Sequence, residues 1–91
     1  MENKGADMTD MYRQLFDIAR QCIDIVKKYL PDYEDGMLTS IEVGEPDLAV
    51  VMALDAACVN HEILRQIPES VKELTKNPDY PEIQRFADLF K

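Results

Sequence analysis

The chain has no tryptophan, a single histidine, and no lysine or arginine anywhere between Tyr29 and Leu64. Each absence excludes something. Without Trp, the core of a 91-residue chain must be filled by Leu, Ile, Val, Met and Ala. With one imidazole, His61, the bases and ligands available for His-dependent chemistry are few. With no cations over the middle third, that stretch repels nucleic acid and anionic membranes. Long hydrophobic runs are also missing. The longest charge-free apolar stretch, Leu48–Leu54, ends at Asp55, far short of the ~20 residues a membrane span needs. Met1–Asp7 is polar and carries no apolar signal region. Cysteine is sparse, and Cys22 and Cys58 lie far apart in apolar surroundings. That is no disulfide framework. Both read as reduced core residues of a cytoplasmic protein.

What is present fits one small globular domain. Hydrophobic residues make up 46% and charged residues 31%, so the chain can bury a modest core and is not disordered. The formal net charge is −8, and its placement is uneven. Of the 18 acids, eight lie in the base-free stretch: Asp32, Glu34, Asp35, Glu42, Glu45, Asp47, Asp55 and Glu62. The flanks then hold ten acids against all ten Lys and Arg. The whole excess of negative charge therefore comes from the middle third, which would attract a basic partner.

The order of apolar residues predicts an all-α protein, a compact bundle of four to five helices. Residues 1–8 read as a flexible tail and 9–91 as a single helical domain, with Thr9 or Asp10 as the first N-cap. Met11–Leu30 carries apolar residues at Tyr12, Leu15, Phe16, Ile18, Ala19, Cys22, Ile23, Ile25, Val26, Tyr29 and Leu30, a pattern that repeats every seven residues. About four positions in seven are apolar, wider than the two in seven of a coiled-coil seam, so this helix should touch more than one neighbour. Its polar face alternates in sign through Arg13, Asp17, Arg20, Asp24 and Lys28, which reads as a solvated face.

Beyond Pro31, two readings of the chain compete. In the favoured one, Met37–Val43 is a short helix with Met37, Leu38 and Ile41 inward, Gly44 is the residue just past its end, and Pro46 follows as a stop. In the other, residues 39–54 form a β-hairpin and the fold is α+β. Ala49, Ala53, Ala56 and Ala57 favour the helix. A second long helix is expected from Asp47 to Gln66, central because its first half is apolar nearly all round. Its stripe should narrow to Val59, Ile63 and Ile67. Ser70 and Glu73 have the spacing of a capping box. Pro81 opens a last helix with Ile83, Phe86, Ala87 and Phe90 inward.

No cluster has the pattern of a catalytic or metal centre. Cys58 and His61 stand three apart on one helix, but Cys58 has no activating cation beside it. Asp55, Cys58 and Glu62 share a helix face, a mixed set rather than paired zinc ligands. In Asp32–Gly36 a calcium loop fails on register, because Pro31 would fall at its first ligating position. Asp55 must reach solvent or find a partner such as Arg20 or His61, since a buried lone carboxylate is costly. The expectation is a non-enzymatic protein with no cofactor and no metal. The candidate binding residues are Asp32, Tyr33, Glu34, Asp35, Glu42, Glu45 and Asp47, with Tyr33 an exposed aromatic anchor among acids.

The segment Ile41-Glu42-Val43-Gly44-Glu45-Pro46-Asp47-Leu48-Ala49, with Ala53-Leu54-Asp55, Ile63 and Ile67-Pro68-Glu69-Ser70-Val71, resembles small bacterial immunity proteins of the Maf type. Those chains pair with polymorphic or contact-dependent toxins. The resemblance spans roughly residues 37–74 and rests on turn and core residues, and the helix from Pro81 onward departs from it. It implies an immunity protein that neutralises a cognate toxin domain with a basic surface, neither nucleic acid nor membrane being the partner.

Overall fold

The structure is a computed structural model that describes residues 2–90, with side chains described from Tyr12 to Phe90. Its elements are α1 (Glu2–Val26), a 3₁₀ turn (Pro31–Tyr33), α2 (Glu34–Glu42), α3 (Pro46–Val59), α4 (His61–Gln66), α5 (Glu69–Leu74), α6 (Pro81–Gln84) and a closing 3₁₀ turn (Ala87–Phe90). There is no strand among the described residues. The fold is an all-α bundle, and the hairpin over 39–54 does not form.

α3 lies at the centre. It packs against α1, α2, α4 and α6, and Ala49, Val50, Ala53, Leu54 and Ala56 along it are fully buried. α1 brings Leu15, Ala19, Cys22, Ile23 and Val26 to the same core, at the three- and four-residue steps that line one helix face. It meets α2, α3 and α4, as its wide apolar face requires. Small residues on both helices, Ala19, Cys22, Ala49, Ala53 and Ala56, let the backbones come close. Gly36 does the same between α2 and α3, since a Cβ there would lie 2.8 Å from the Met52 methyl. Met37 from α2, Ile63 from α4, Val71 from α5 and Ile83 from α6 close the core, each contributing about 1.5–3 kcal/mol by burial.

Several boundaries differ from those the pattern predicts. α1 begins at Glu2, so Thr9 and Asp10 fall inside it and neither is its N-cap; the backbone over the expected tail is helical apart from Met1, which lies outside the described residues. No proline interrupts this stretch, and the single Gly5 costs only about 1 kcal/mol. The predicted helix from Asp47 to Gln66 is two. Asn60 breaks it by adopting an extended backbone (φ −143°, ψ 109°), and its Oδ1 accepts bonds from the Glu62 and Ile63 amides at 2.9 and 3.2 Å. Asn competes well as a cap and poorly as a helix interior. The break buries Ile63 but leaves Val59, expected on the buried stripe, 72% exposed.

Ser70 is not a cap either. Pro68 holds that position and Ser70 sits within α5. The last predicted helix is a single turn, α6, followed by the 3₁₀ turn at Ala87–Phe90. Ile83 is buried, while Phe86 and Phe90 are half-buried against the core. The predicted end of α2 does form. Gly44 takes φ 81°, its amide bonds to the Ile41 carbonyl at 3.0 Å, and the Glu45 amide bonds to the Ser40 carbonyl at 2.8 Å. This is the paired closure of a Schellman motif.

Candidate functional site

The seven candidate residues spread from the turn before α2 to the first turn of α3. Asp32 lies in the 3₁₀ turn and Glu34 and Asp35 open α2, where the positive end of the helix dipole favours carboxylates. Glu45 is the residue before α3 and Asp47 lies in its first turn, where the same attraction holds. Each such placement is worth about 0.3–1 kcal/mol. Two adjoining helix starts therefore account for five of the six acids. Glu42 is different. It sits in the last turn of α2, which carries no base, so the dipole opposes it.

The structure does not gather all seven into one patch. Asp32, Asp35, Glu42 and Glu45 are exposed. Asp35 and Glu42 are seven residues apart on α2 and share a face, about 10 Å apart along the axis. Between them on that face lies Leu38, 41% exposed. Glu34 turns towards α1, where its carboxylate meets the Lys27 ammonium at 4.0 Å. Among the described residues it is the one acid of the six in an ion pair. Asp47 is half-buried and faces the other way, lining a cleft of about 260 Å³ with Asp79, Tyr80, Pro81, Glu82 and Ile83. Burial, then the charges of Asp47 and Asp79, push the Tyr80 phenol above its ordinary pKa.

Tyr33 corrects an expectation. It is half-buried and packed against the core, because the 3₁₀ turn folds it back rather than leaving it free among the acids. The exposed apolar side chains on this side are others: Leu38, Val43 (63% exposed) and Tyr12 (47%). Tyr12 donates its hydroxyl to the Gly44 carbonyl at 2.7 Å and meets Phe16 edge to face, ring centres 4.8 Å apart. Arg20 lies over that ring at 5.8 Å. A second cleft of about 260 Å³ opens between α1 and α2, with Ile23, Leu38 and Ile41 as its apolar lining and Arg20, Lys27 and Glu34 among its polar residues. Sequence reading missed this cleft. Leu38 was expected inward with Met37 and Ile41, but it lies at the edge of this cleft and is 41% exposed.

The cysteines also differ from each other. Cys22 is buried, and burial pushes its thiol up to about 12. Cys58 was expected in the core but is exposed, because it stands three residues after exposed Asp55 on the outer face of α3. Asp55 reaches solvent, which removes the need for an internal partner. Among the described residues, no three His, Cys, Asp or Glu side chains are grouped so as to hold a metal ion. No helix among them is long and apolar enough to cross a membrane. No protein-family model, curated protein or solved structure matches this chain. The resemblance to Maf-type immunity proteins therefore stands on the residues quoted for it and on nothing wider.

Proposed function

We propose that this protein acts without catalysis, by binding a protein with a basic surface through the outer side of α2 and the turn that follows it. One observation carries the reading. Asp35, Glu42 and Glu45 are exposed and, among the described residues, have no cation paired with them, and Glu42 stands where its own helix disfavours it. A fold that needed only solubility could have placed that charge at lower cost elsewhere. Complementary charge speeds association, and salt screens that attraction. The resemblance to immunity proteins supplies the partner class: a toxin domain, inhibited in the cytoplasm of the cell that makes it. Nuclease toxins bind a polyanion, so their substrate clefts are basic, and an acidic helical face can occupy or flank such a cleft.

The test is purification of the tagged full chain from its native cells at low and high salt, with co-purifying proteins identified by mass. The expected result is one stoichiometric partner carrying a basic domain. It should be lost when Asp35, Glu42 and Glu45 are changed together to Lys. A toxin gene immediately upstream would favour the immunity reading. A constitutive housekeeping complex would instead make the protein an adaptor or regulatory subunit. Binding unchanged by the triple charge reversal would overturn the acidic-face proposal.

A further inference from the structure

The acidic side of α2 carries an apolar residue between two of its acids. Leu38 lies between Asp35 and Glu42 on one face of the helix, and beside it the cleft between α1 and α2 is floored by Ile23 and Ile41. At the C-terminal end of α2, Val43 is exposed next to Gly44, whose carbonyl is held by Tyr12. Tyr12, Leu38 and Val43 are three of the five large hydrophobic side chains exposed among the described residues. Hydrophobic groups bordered by charge are the arrangement that gives interfaces their residence time, the apolar part excluding water and the rim steering approach.

We infer that the partner docks a basic amphipathic helix along α2. It seats an apolar side chain in the cleft against Leu38 and Ile41, and lays lysines or arginines against Asp35, Glu42 and Glu45. This rests on the acidic-face reading above and adds the anchor and the shape of the ligand. Charge selects the occupant. The acids of the rim, Asp35, Glu42 and Glu45, are unpaired among the described residues, whereas the cations lining the cleft are engaged: Arg20 pairs with Asp17 at 3.6 Å, and Lys27 lies 3.5 Å from Asp24 and 4.0 Å from Glu34. An incoming cation therefore finds free partners on α2 and in the turn after it, and an incoming anion finds few. Dimensions agree as well, since two turns of a partner helix span about the same 10 Å as Asp35 to Glu42. Tyr33 takes no part, being folded back onto the core.

The probe is a designed helical peptide with a leucine stripe flanked by lysines, titrated into the full chain by fluorescence anisotropy. Two controls accompany it: the same peptide with serine for leucine, and one with glutamate for lysine. Backbone amide shifts in NMR locate the contact. The expected result is binding by the Leu/Lys peptide that weakens with salt, about tenfold weaker binding with Leu38→Ala or Val43→Ala in variants whose NMR spectra show the fold retained, and shifts along α2, Val43 and Gly44. Equal binding by the Ser/Lys peptide, or shifts confined to Tyr33 or the Asp47–Tyr80 cleft, would overturn the socket while leaving the acidic face standing. Failure of both lysine peptides at low salt would overturn the acidic face itself. Concentration-dependent self-association abolished by Leu38→Glu would replace the partner helix with a second copy of this chain.

Discussion

α2 and α3 adjoin in sequence and share the absence of lysine and arginine, yet for opposite reasons. In α3 seven residues are buried, and a cation among them would lose its hydration without compensation. At those positions the lack of bases is a consequence of the core and says nothing about partners. In α2 only Met37 and Ser40 are buried, and Thr39 and Glu42 are exposed, so lysine or arginine would be tolerated there without loss of packing. Their absence there is not imposed by the fold. The base-free stretch that stands out in the sequence is thus two features end to end, and only the first enters the proposed binding face.

The largest test of this contrast compares leucines. Leu54→Ala removes a fully buried side chain and should cost about 2–5 kcal/mol, read from urea unfolding. Leu38→Ala, 41% exposed, should cost well under half of that. If the two losses were equal, Leu38 would be a structural residue and α2 a second part of the core.

Next in size are the devices that end the helices. Asn60→Ala removes the side chain that satisfies two amides at the start of α4 and should cost about 0.5–2 kcal/mol. The melting temperature should fall correspondingly. A milder loss is expected for Asn60→Gly. Gly44→Ala places a Cβ at φ 81° and 3.3 Å from the Tyr12 hydroxyl oxygen, and should cost about 1 kcal/mol or more. Its effect should be larger than that of an alanine change at an exposed α2 position.

These two stops show how far the sequence could be read. Gly44 followed by Pro46 is punctuation that the helical reading takes as a stop, and it appears in the structure as that reading predicts. Asn60 carries no such mark. It sits in a run whose apolar residues keep helical spacing on both sides, and its capping strength shows only once Ile63 must be buried. Val59 and Cys58 were misplaced because both lie on the outer face of α3 with exposed Asp55, and their apolar character hid that register. At the candidate site, the acids were legible as charge, and four of the six are exposed. Their division into separate directions was not, since it depends on α3 turning Asp47 towards α6. Tyr33 and Leu38 exchanged roles for a local reason. Tyr33 precedes α2 in a 3₁₀ turn that points it at the core, while Leu38 falls opposite Met37 and Ser40.

A pH series sharpens the contrast from the core side. Cys22 is held protonated by burial, its thiol raised from 9.0 to about 12. Above pH 9 the unfolded chain releases this proton and the folded chain retains it, so the unfolded state binds fewer protons and stability falls as pH rises. The contribution is fully present below pH 9 and is lost progressively up to about 12. Cys22→Ala should flatten the alkaline decline of the urea midpoint relative to the parent. Alkylation at neutral pH should modify Cys58 in the folded protein and reach Cys22 only on unfolding. Equal alkylation rates at the two sites would place Cys22 outside the core.

The smallest expected effect is the one that bears most on function. Asp35→Lys with Glu42→Lys moves the net charge from −8 to about −4 and touches no buried side chain. The two changes act in opposite directions locally. Losing Asp35 from the first turn of α2 forfeits a favourable interaction with the helix dipole, and placing a cation at Glu42 gains one. With self-repulsion also reduced, the unfolding free energy should change by less than about 0.5 kcal/mol. Such a result makes any loss of partner binding in the same variant attributable to the surface. A substantial gain in stability would say more, since it would mean the chain carries Glu42 at a real cost to its own folding, which selection for binding explains and selection for stability does not. A substantial loss would instead tie these carboxylates to the fold and remove α2 from the contrast with α3.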